Sequence, residues 1–232
     1  MEVRFAGVSE QPSNTIGPPF QGLRPVGGSY TFGGRQGRMS PTRQRAFEQL
    51  VPRFAAYPPF AETRLVVEIG CGKGDATAAM APGEPNSLVI ACEPNSATIA
   101  SLAQLLDERQ ITNVRLWNGD AFDLLAQLGD QSVAEIRIWF PDPWPKPRHA
   151  GKRLITAARL SLITDAMTIG AALRLATDDA DYAQAALLAI SVDPRLEGGV
   201  VSRPPERPIT VFEARGLREG RATVDLHATR CS

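Results

Sequence analysis

From residue 64 onward, short apolar runs alternate with segments whose apolar residues recur at helical spacing. The apolar runs predict strands at residues 65–69, 88–92, 114–117, 135–140 and 171–176. The helical spacing predicts helices at residues 76–80, 96–109, 122–128, 155–169 and 182–192. Strands that alternate with helices indicate an α/β protein with a mostly parallel sheet and helices on both faces.

Near the C-terminus the alternation with helices stops. Residues 210–213 and 222–228 flank a turn region between Gly216 and Gly220. This arrangement predicts a closing antiparallel pair of strands, so that the sheet ends with an antiparallel strand.

The first 40 residues are rich in glycine and proline, with eight glycines and four prolines. This composition disfavours helices and strands, so residues 1–40 are predicted to form a flexible arm. Ser40 followed by Pro41 is typical of a helix start, and we expect this helix to reach about Leu50. Residues 41–232 then form one domain, which is a length that suits a single core.

The composition narrows the class of protein. Apolar residues make up 43% of the 232 residues, which is enough for a buried core. No apolar run reaches the roughly 18 residues of a membrane-spanning helix, so no membrane association is expected. The chain has only three cysteines, and its first residues do not resemble a secretory signal. We therefore expect it in the reducing cytoplasm.

The charge is balanced overall, with 25 Lys or Arg against 25 Asp or Glu, but it is uneven along the chain. Residues 23–54 contain one acid, Glu48, and six arginines, namely Arg24, Arg35, Arg38, Arg43, Arg45 and Arg53. A second basic run contains Lys146, Arg148, Lys152 and Arg153. Both runs suit either a basic face that binds nucleic acid or an ordinary solvated surface, and the charge alone leaves both interpretations open.

A glycine-rich turn follows the first predicted strand. Gly70, Gly72 and Gly74 let the chain turn sharply and let a ligand come close to the backbone. Asp75 stands where a dinucleotide-binding turn needs its third glycine. The spacing instead resembles the turn of nucleoside-type methyltransferases, which have no pyrophosphate to hold.

Acidic residues occur at the ends of the first three strands. Glu68 precedes the glycine turn, Glu93 ends the second strand, and Asp120 follows the third. A carboxylate at the second strand end can accept hydrogen bonds from two ribose hydroxyls. Each acid alone is compatible with a solvated strand end, but three in this order favour a site for the cationic S-adenosylmethionine.

The segment after the fourth strand reads Phe-Pro-Asp-Pro-Trp-Pro-Lys-Pro-Arg-His over residues 140–149. Proline fixes the φ angle and removes a backbone donor, so this loop is expected to be stiff. It places one carboxylate, Asp142, and one large aromatic side chain, Trp144, at the carboxyl end of a strand.

Together these motifs resemble the bacterial tRNA (guanine-N7)-methyltransferase family. Residues 35–40 and 210–216 and the pair Asp178 and Tyr182 also agree with it, and the resemblance spans residues 29–226. It implies a Rossmann-like class I methyltransferase fold with a mostly parallel seven-stranded sheet. It also implies S-adenosyl-L-methionine as the cofactor and a variable-loop guanine of tRNA as the substrate, with no metal. The oligomeric state is left open.

The resemblance also implies roles for individual residues. The implied cofactor-binding residues are Glu68, Gly70, Gly72, Glu93, Asp120 and Asp142. The implied substrate-binding residues are Lys146, Asp178, Thr210 and Glu213. The basic residues expected at the RNA backbone are Arg35, Arg38, Arg148, Lys152 and Arg153. Relatives usually have a denser basic run after the lysine, so we expect fewer phosphate contacts from this loop.

The implied chemistry needs alignment more than proton transfer. Guanine N7 has a free lone pair, so no proton must leave before attack and His149 is not required as a base. Asp142 is the expected catalytic residue, because a carboxylate can accept from guanine and stabilise positive charge that develops on it. Trp144 is a candidate stacking wall for the base, with core packing as the alternative role.

Two other functions remain open from the sequence. Methylation of an exocyclic amine uses a similar proline-rich aromatic loop after the fourth strand. A catalytically silent RNA-binding module could share the fold, although it would not need acids at all three strand ends. A dinucleotide-dependent oxidoreductase is disfavoured by Asp75.

Overall fold

The computed structural model describes residues 39–60 and 64–232. Seven strands run through this part of the chain: β1 (Arg64–Ile69), β2 (Ser87–Cys92), β3 (Val114–Trp117), β4 (Val133–Trp139), β5 (Met167–Thr177), β6 (Leu196–Val201) and β7 (Val224–Arg230). They form a sheet in the order β3-β2-β1-β4-β5-β7-β6. Strand β7 is antiparallel to both of its neighbours, and the other adjacent pairs are parallel. The predicted mostly parallel sheet with an antiparallel C-terminal strand is confirmed.

Seven α-helices accompany the sheet in the described residues: α1 (Pro41–Gln49), α2 (Asp75–Met80), α3 (Ser96–Glu108), α4 (Ala121–Leu128), α5 (Ala157–Ala166), α6 (Ala180–Val192) and α7 (Val211–Arg218). Short 3-10 turns cover Val51–Phe54, Ala81–Gly83 and Pro147–Lys152. None of the helices in this part of the chain is long and apolar enough to cross a membrane.

Strand β1 shows why the apolar runs are continuous rather than alternating. Val67 belongs to a buried cluster with Leu124 of α4 and Leu160 of α5. Its neighbour Val66 belongs to a second cluster, which contains Leu102 of α3. Both faces of the central strand are therefore covered, as expected for a parallel sheet between two helical layers. The carboxyl ends of the strands stay free to form a site.

Helix α1 begins as the sequence predicts. Ser40 is its N-cap, with a side-chain oxygen that accepts a hydrogen bond from the backbone of Arg43 at 3.4 Å, and Pro41 is the first helical residue. The helix ends at Gln49, one residue before the predicted end. The arm predicted for residues 1–40 lies almost entirely outside the described residues and stays a prediction.

The helix predicted over residues 155–169 is wrong at its C-terminal end. Helix α5 stops at Ala166, and β5 begins at the next residue, Met167. The backbone N–H of Ser132 donates to the carbonyl of Ala166 at 2.9 Å, and Val133 is in register with Met167. From this point the pairing with β4, rather than the helical spacing of apolar residues, determines the secondary structure. A local sequence pattern does not reveal such pairing.

The closing strand pair predicted at residues 210–213 and 222–228 is also wrong in its first member. Residues 211–218 form helix α7, and β7 pairs instead with β6, which the sequence did not predict. The two glycines of β6 disfavour a strand locally. Helix α7 is hard to recognise because its polarity is inverted: Glu213 is 2% exposed, whereas Val211 and Phe212 are each 58% exposed.

Candidate active site

A cavity of about 310 Å³ lies at the carboxyl ends of β1, β2 and β4. Its walls come from the glycine turn, the end of β2, the proline-rich loop after β4, and helix α7. The residues that carry the chemistry of these walls are Gly70, Gly72, Glu93, Asp142, Trp144 and Phe212. Five of them are singled out by the sequence, and the fold brings them to one place.

Glu93 connects the first two strand ends. Its Oε2 accepts from the backbone N–H of Gly72 at 3.2 Å, and its Oε1 accepts from the backbone N–H of Asn95 at 2.9 Å. Burial raises the pKa of the Glu93 carboxyl, and the two backbone donors act in the opposite direction. Each carboxylate oxygen can accept a further hydrogen bond, so a diol in the cavity can still bind to Glu93.

Gly70 and Gly72 form a backbone cradle beside Glu93. Their φ angles are +75° and +58°, in the left-handed region that favours glycine. A Cβ added at either position would meet no heavy atom within 4 Å, so this space is open to a ligand. A cradle without side chains, a diol acceptor and the nearby carboxylate of Asp142 together fit S-adenosylmethionine, whose sulfur is cationic.

Two other predicted cofactor residues, Glu68 and Asp120, are not among the residues that line the cavity. Glu68 is 2% exposed and accepts a hydrogen bond from the hydroxyl of Thr77 at 2.8 Å. Burial raises the pKa of Glu68 to about 7. Asp120 is the N-cap of α4 and accepts from the backbone N–H of Phe122 at 2.9 Å. Both support the neighbouring walls, and their direct contact with a cofactor stays a prediction.

The loop after β4 has an unusual backbone around Asp142. Phe140 and Trp144 have φ angles of 51° and 43°, and a bulky residue in this region costs about 1–3 kcal/mol. The backbone N–H of Phe140 donates to the carbonyl of Ala176 at 2.7 Å, which anchors the start of the loop to β5. Asp142 lies between the two strained residues, is exposed, and lines the cavity.

Trp144 is held by two neighbours from the basic run. The Nζ of Lys152 lies 4.9 Å from the centre of the indole ring, which is a cation–π contact. The ring of His149 meets the indole edge-on, with centroids 5.6 Å apart and planes at 89°. Trp144 is half-buried and lines the cavity, and its predicted stacking against a base stays a prediction.

The remaining basic residues of this run divide into two groups. Arg153 donates from Nε to the carbonyl of Pro143 at 2.9 Å, and its guanidinium lies 5.6 Å from the centre of the Tyr182 ring. Arg153 therefore braces the loop, and its predicted contact with RNA stays a prediction. Lys146 and Arg148 are exposed, as an RNA contact requires.

Helix α7 contributes Phe212 to the lining of the cavity. Thr210 caps the helix by accepting from the backbone N–H of Glu213 at 3.1 Å. Asp178 accepts from the Nε of Arg221 at 2.8 Å, and a Cβ at Gly216 would lie 2.4 Å from its carboxylate oxygen. The predicted substrate residues of this region thus have partners within the chain, and Phe212 is the α7 residue that lines the cavity.

The sequence of this chain is similar to those of known methyltransferases. A family described as "Putative methyltransferase" matches residues 62–226. A tRNA (guanine-N(7)-)-methyltransferase of Nocardioides sp. is 37% identical over 210 residues, which cover 84% of this chain and 85% of the relative. The enzyme of the same description from Thiobacillus denitrificans is 37% identical over 219 residues, covering 88% and 96%.

The chain belongs to the tRNA (guanine-N7)-methyltransferase family. Solved structures with the same fold include an rRNA methylase from Streptococcus thermophilus, with a TM-score of 0.51 and 14% identity over 82% of this chain and 95% of that chain. A precorrin-6y C5,15-methyltransferase from Geobacter metallireducens has a TM-score of 0.51 and 15% identity, covering 81% and 88%. These likenesses confirm the class I methyltransferase fold.

In this member of the tRNA (guanine-N7)-methyltransferase family, the described residues contain no group of three or more His, Cys, Asp or Glu that could hold a metal ion. Arg35 and Arg38 lie outside the described residues, so their predicted contacts with RNA stay predictions. The sequence did not single out Phe212 as a wall or Arg207 as a buried charge. Arg207 is 1% exposed, and the acids that pair with it are distant in sequence or hidden in the inverted helix.

Proposed function

We propose that this protein transfers a methyl group from S-adenosylmethionine to N7 of a guanine in the variable loop of tRNA. The observation that carries the proposal is one cavity lined by two unlike groups of residues. The glycine cradle and Glu93 are the first group, and Asp142, Trp144 and Phe212 are the second. Membership of the tRNA (guanine-N7)-methyltransferase family supports the choice of substrate.

S-adenosylmethionine supplies an electrophilic methyl group when it is bound. In this proposal Glu93, already bound to the backbone of Gly72, accepts from a ribose diol, and the open Gly70–Gly72 cradle borders the cofactor without side chains. The stiff, strained loop fixes Asp142 relative to this cradle. These residues therefore supply alignment, which is the main requirement for a reaction between a lone pair and a methyl group.

Asp142 is placed to act on the acceptor base. Its carboxylate can accept hydrogen bonds from the N1–H and amino groups of guanine, and it favours the positive charge that develops on the purine. At about 4 Å and an effective dielectric constant of about 20, one such charge contributes roughly 4 kcal/mol before desolvation. In this proposal Trp144 from the loop and Phe212 from α7, which both line the cavity, contact the faces of an unstacked base.

No group is needed to remove a proton from guanine N7. His149 packs edge-on against Trp144, and its Nε2 accepts from the Nε of Arg148 at 3.4 Å. We assign His149 to the support of the aromatic wall and to contact with RNA, rather than to base catalysis.

The test is digestion and mass spectrometry of tRNA after incubation with the protein and isotopically labelled S-adenosylmethionine. We expect labelled 7-methylguanosine from the variable loop. Label in an N2-methylguanosine or N6-methyladenosine would support methylation of an exocyclic amine instead. A protein that binds tRNA but whose melting temperature does not change with S-adenosylhomocysteine would be a silent RNA-binding module.

A further inference from the structure

Arg207 is a buried cation that joins helix α7 to strand β7. Its Nε and Nη2 donate to the two carboxylate oxygens of Asp225, at 2.7 and 3.0 Å. Its Nη1 and Nη2 donate to the two carboxylate oxygens of Glu213, at 2.7 and 3.0 Å. The side chain is fully buried, and each carboxylate is bound in a two-point fork that only a guanidinium can provide.

The same guanidinium also lies against the end of β4. It is 5.8 Å from the centre of the Trp139 ring and 5.6 Å from the centre of the Phe140 ring. Cation–π contacts of this kind are strongest when the cation is removed from water, as Arg207 is. Phe140 is the strained residue that starts the loop of Asp142. The Arg207 side chain therefore contacts both Phe140, which begins the Asp142 loop, and Glu213 of helix α7.

The inverted polarity of α7 follows from this arrangement. Because Glu213 is drawn inward to Arg207, the neighbouring Phe212 on the helix faces outward and lines the cavity. Arg203 adds a second positive charge, with its Nε 3.3 Å from Glu213. The ion pairs thus replace the apolar packing that would normally hold a helix by its buried face.

We propose that Arg207 is a positioning residue that sets the separation between Phe212 on α7 and the Asp142 loop, and so the fit of the acceptor base. Arg207 is not among the residues that line the cavity, so it acts through Glu213, Asp225 and Phe140. The inference rests on the proposed function, because the base it concerns is the acceptor of the methyl group. It assigns no role to Arg207 in holding the cofactor, since the contacts of its guanidinium are with Glu213, Asp225, Trp139 and Phe140.

The decisive variant is Arg207→Lys. Lysine keeps the positive charge, so neither carboxylate is left without a cation, but one ammonium cannot form both forks. Arg137→Lys is the matched control. Arg137, on strand β4, is also buried and bridges two acids, donating to Glu135 at 2.7 Å and to Glu84 at 2.6 Å, but it does not line the cavity.

Three quantities are measured on the wild type and both variants: kcat and KM for tRNA, the Kd of S-adenosylhomocysteine, and hydrogen exchange of the peptides that contain α7 and residues 140–146. For Arg207→Lys we expect kcat to fall by about tenfold to a hundredfold, since displacement of about 1 Å costs this much. The Kd should change by less than about threefold, and exchange should rise in both peptides. Arg137→Lys should show a lower melting temperature with wild-type kcat and exchange in these peptides.

Each contrary result would overturn either the positioning role of Arg207 or the proposed function. Unchanged kcat in a folded Arg207→Lys protein would overturn the positioning role. So would a lower kcat with unchanged exchange of α7, or an equal loss of kcat in Arg137→Lys, which would indicate general destabilisation. A wild-type protein that does not methylate tRNA would overturn the proposed function instead, and the exchange data would still decide whether Arg207 holds α7.

Discussion

The backbone N–H of Gly72 donates to the carboxylate of Glu93 at 3.2 Å, so the turn after β1 is bound to the end of β2. The acid that we propose to accept from the ribose thus also fixes the backbone that we propose to border the cofactor. Loss of the carboxylate removes both contributions together.

Glu93→Ala should weaken binding of S-adenosylmethionine by roughly tenfold to a hundredfold, because charge-assisted hydrogen bonds contribute about 1.5–3 kcal/mol. Isothermal titration calorimetry measures the effect. Glu108→Ala, at an exposed position at the end of α3, is the matched control and should bind as the wild type does. Wild-type affinity in a folded Glu93→Ala protein would leave Glu93 only its structural hydrogen bonds to Gly72 and Asn95.

Asp142→Asn should lower the single-turnover rate at saturating tRNA by at least about tenfold, since about 1.4 kcal/mol of lost transition-state stabilisation suffices. The reason is loss of the negative charge opposite the purine. Asp130→Asn is the control, because Asp130 is exposed just before the other end of β4. Equal rates for the two variants would remove Asp142 from catalysis.

His149→Ala should mainly raise KM for tRNA, and it should leave the single-turnover rate at saturation within several-fold of wild type. The substitution removes an edge contact to Trp144 but no proton acceptor that the reaction needs. The wild-type rate at saturation should be nearly flat between about pH 6.5 and 8.5, without a limb near the ordinary histidine pKa of about 6.5. A thousandfold loss of rate would instead indicate a substrate atom that must lose a proton.

Glu68 makes the stability of the fold depend on pH. Burial raises its pKa from 4.5 to about 7, so the folded protein binds this proton more tightly than the unfolded chain does. The stabilisation is complete below about pH 4.5 and is lost as the pH rises through 7. Glu68→Gln, which keeps an acceptor for Thr77, should therefore raise the melting temperature at pH 8 and change it little at pH 4.5.

The expected gain for Glu68→Gln at pH 8 is up to roughly 3 kcal/mol, and differential scanning calorimetry at several pH values measures it. The same variant should reduce cofactor affinity less than Glu93→Ala does, because Glu68 does not line the cavity. A melting temperature that stays below wild type at every pH would contradict the assignment of Glu68 as a buried acid with a raised pKa.

Deletion of residues 1–39 should weaken tRNA binding and flatten its dependence on salt. The deletion removes three arginines of the basic stretch, Arg24, Arg35 and Arg38. The slope of log affinity against log salt should decrease by roughly 0.7 to 0.9 for each lost phosphate contact. Affinity for S-adenosylhomocysteine, measured in parallel, should barely change. An unchanged salt slope would exclude the deleted segment from the RNA interface.

Local sequence patterns predicted the parallel half of the fold well. The run at residues 114–117 is β3 with the predicted bounds, and the glycine turn and proline loop lie at the expected strand ends. Such elements are buried on both faces or contain residues with restricted backbones, and both properties are visible locally. The C-terminal part was less predictable, because α7 is held by Arg207 through ion pairs and β6 is an edge strand with two glycines.

The candidate site, like the fold, was predictable from the sequence only in part. Gly70, Gly72, Glu93 and Asp142 were predicted together because strand ends meet at one edge of a parallel sheet. Glu68 also stands at that edge in sequence, but its side chain is buried against Thr77. Whether a strand-end side chain enters the cavity depends on the path of the following turn, and no residue type encodes that path.

The position of Asp225 in the chain determines when, during synthesis, the ion pairs that hold α7 can form. The glycine cradle, Glu93 and the whole of α4 precede residue 130, whereas Asp225 lies in β7 (Val224–Arg230). A domain generally folds as a unit, so its packing is completed only when its late strands are available. The backbone at Gly70 and Gly72 is therefore synthesised well before the ion pair between Arg207 and Asp225 can form, and α7 gains this anchor only after translation of β7.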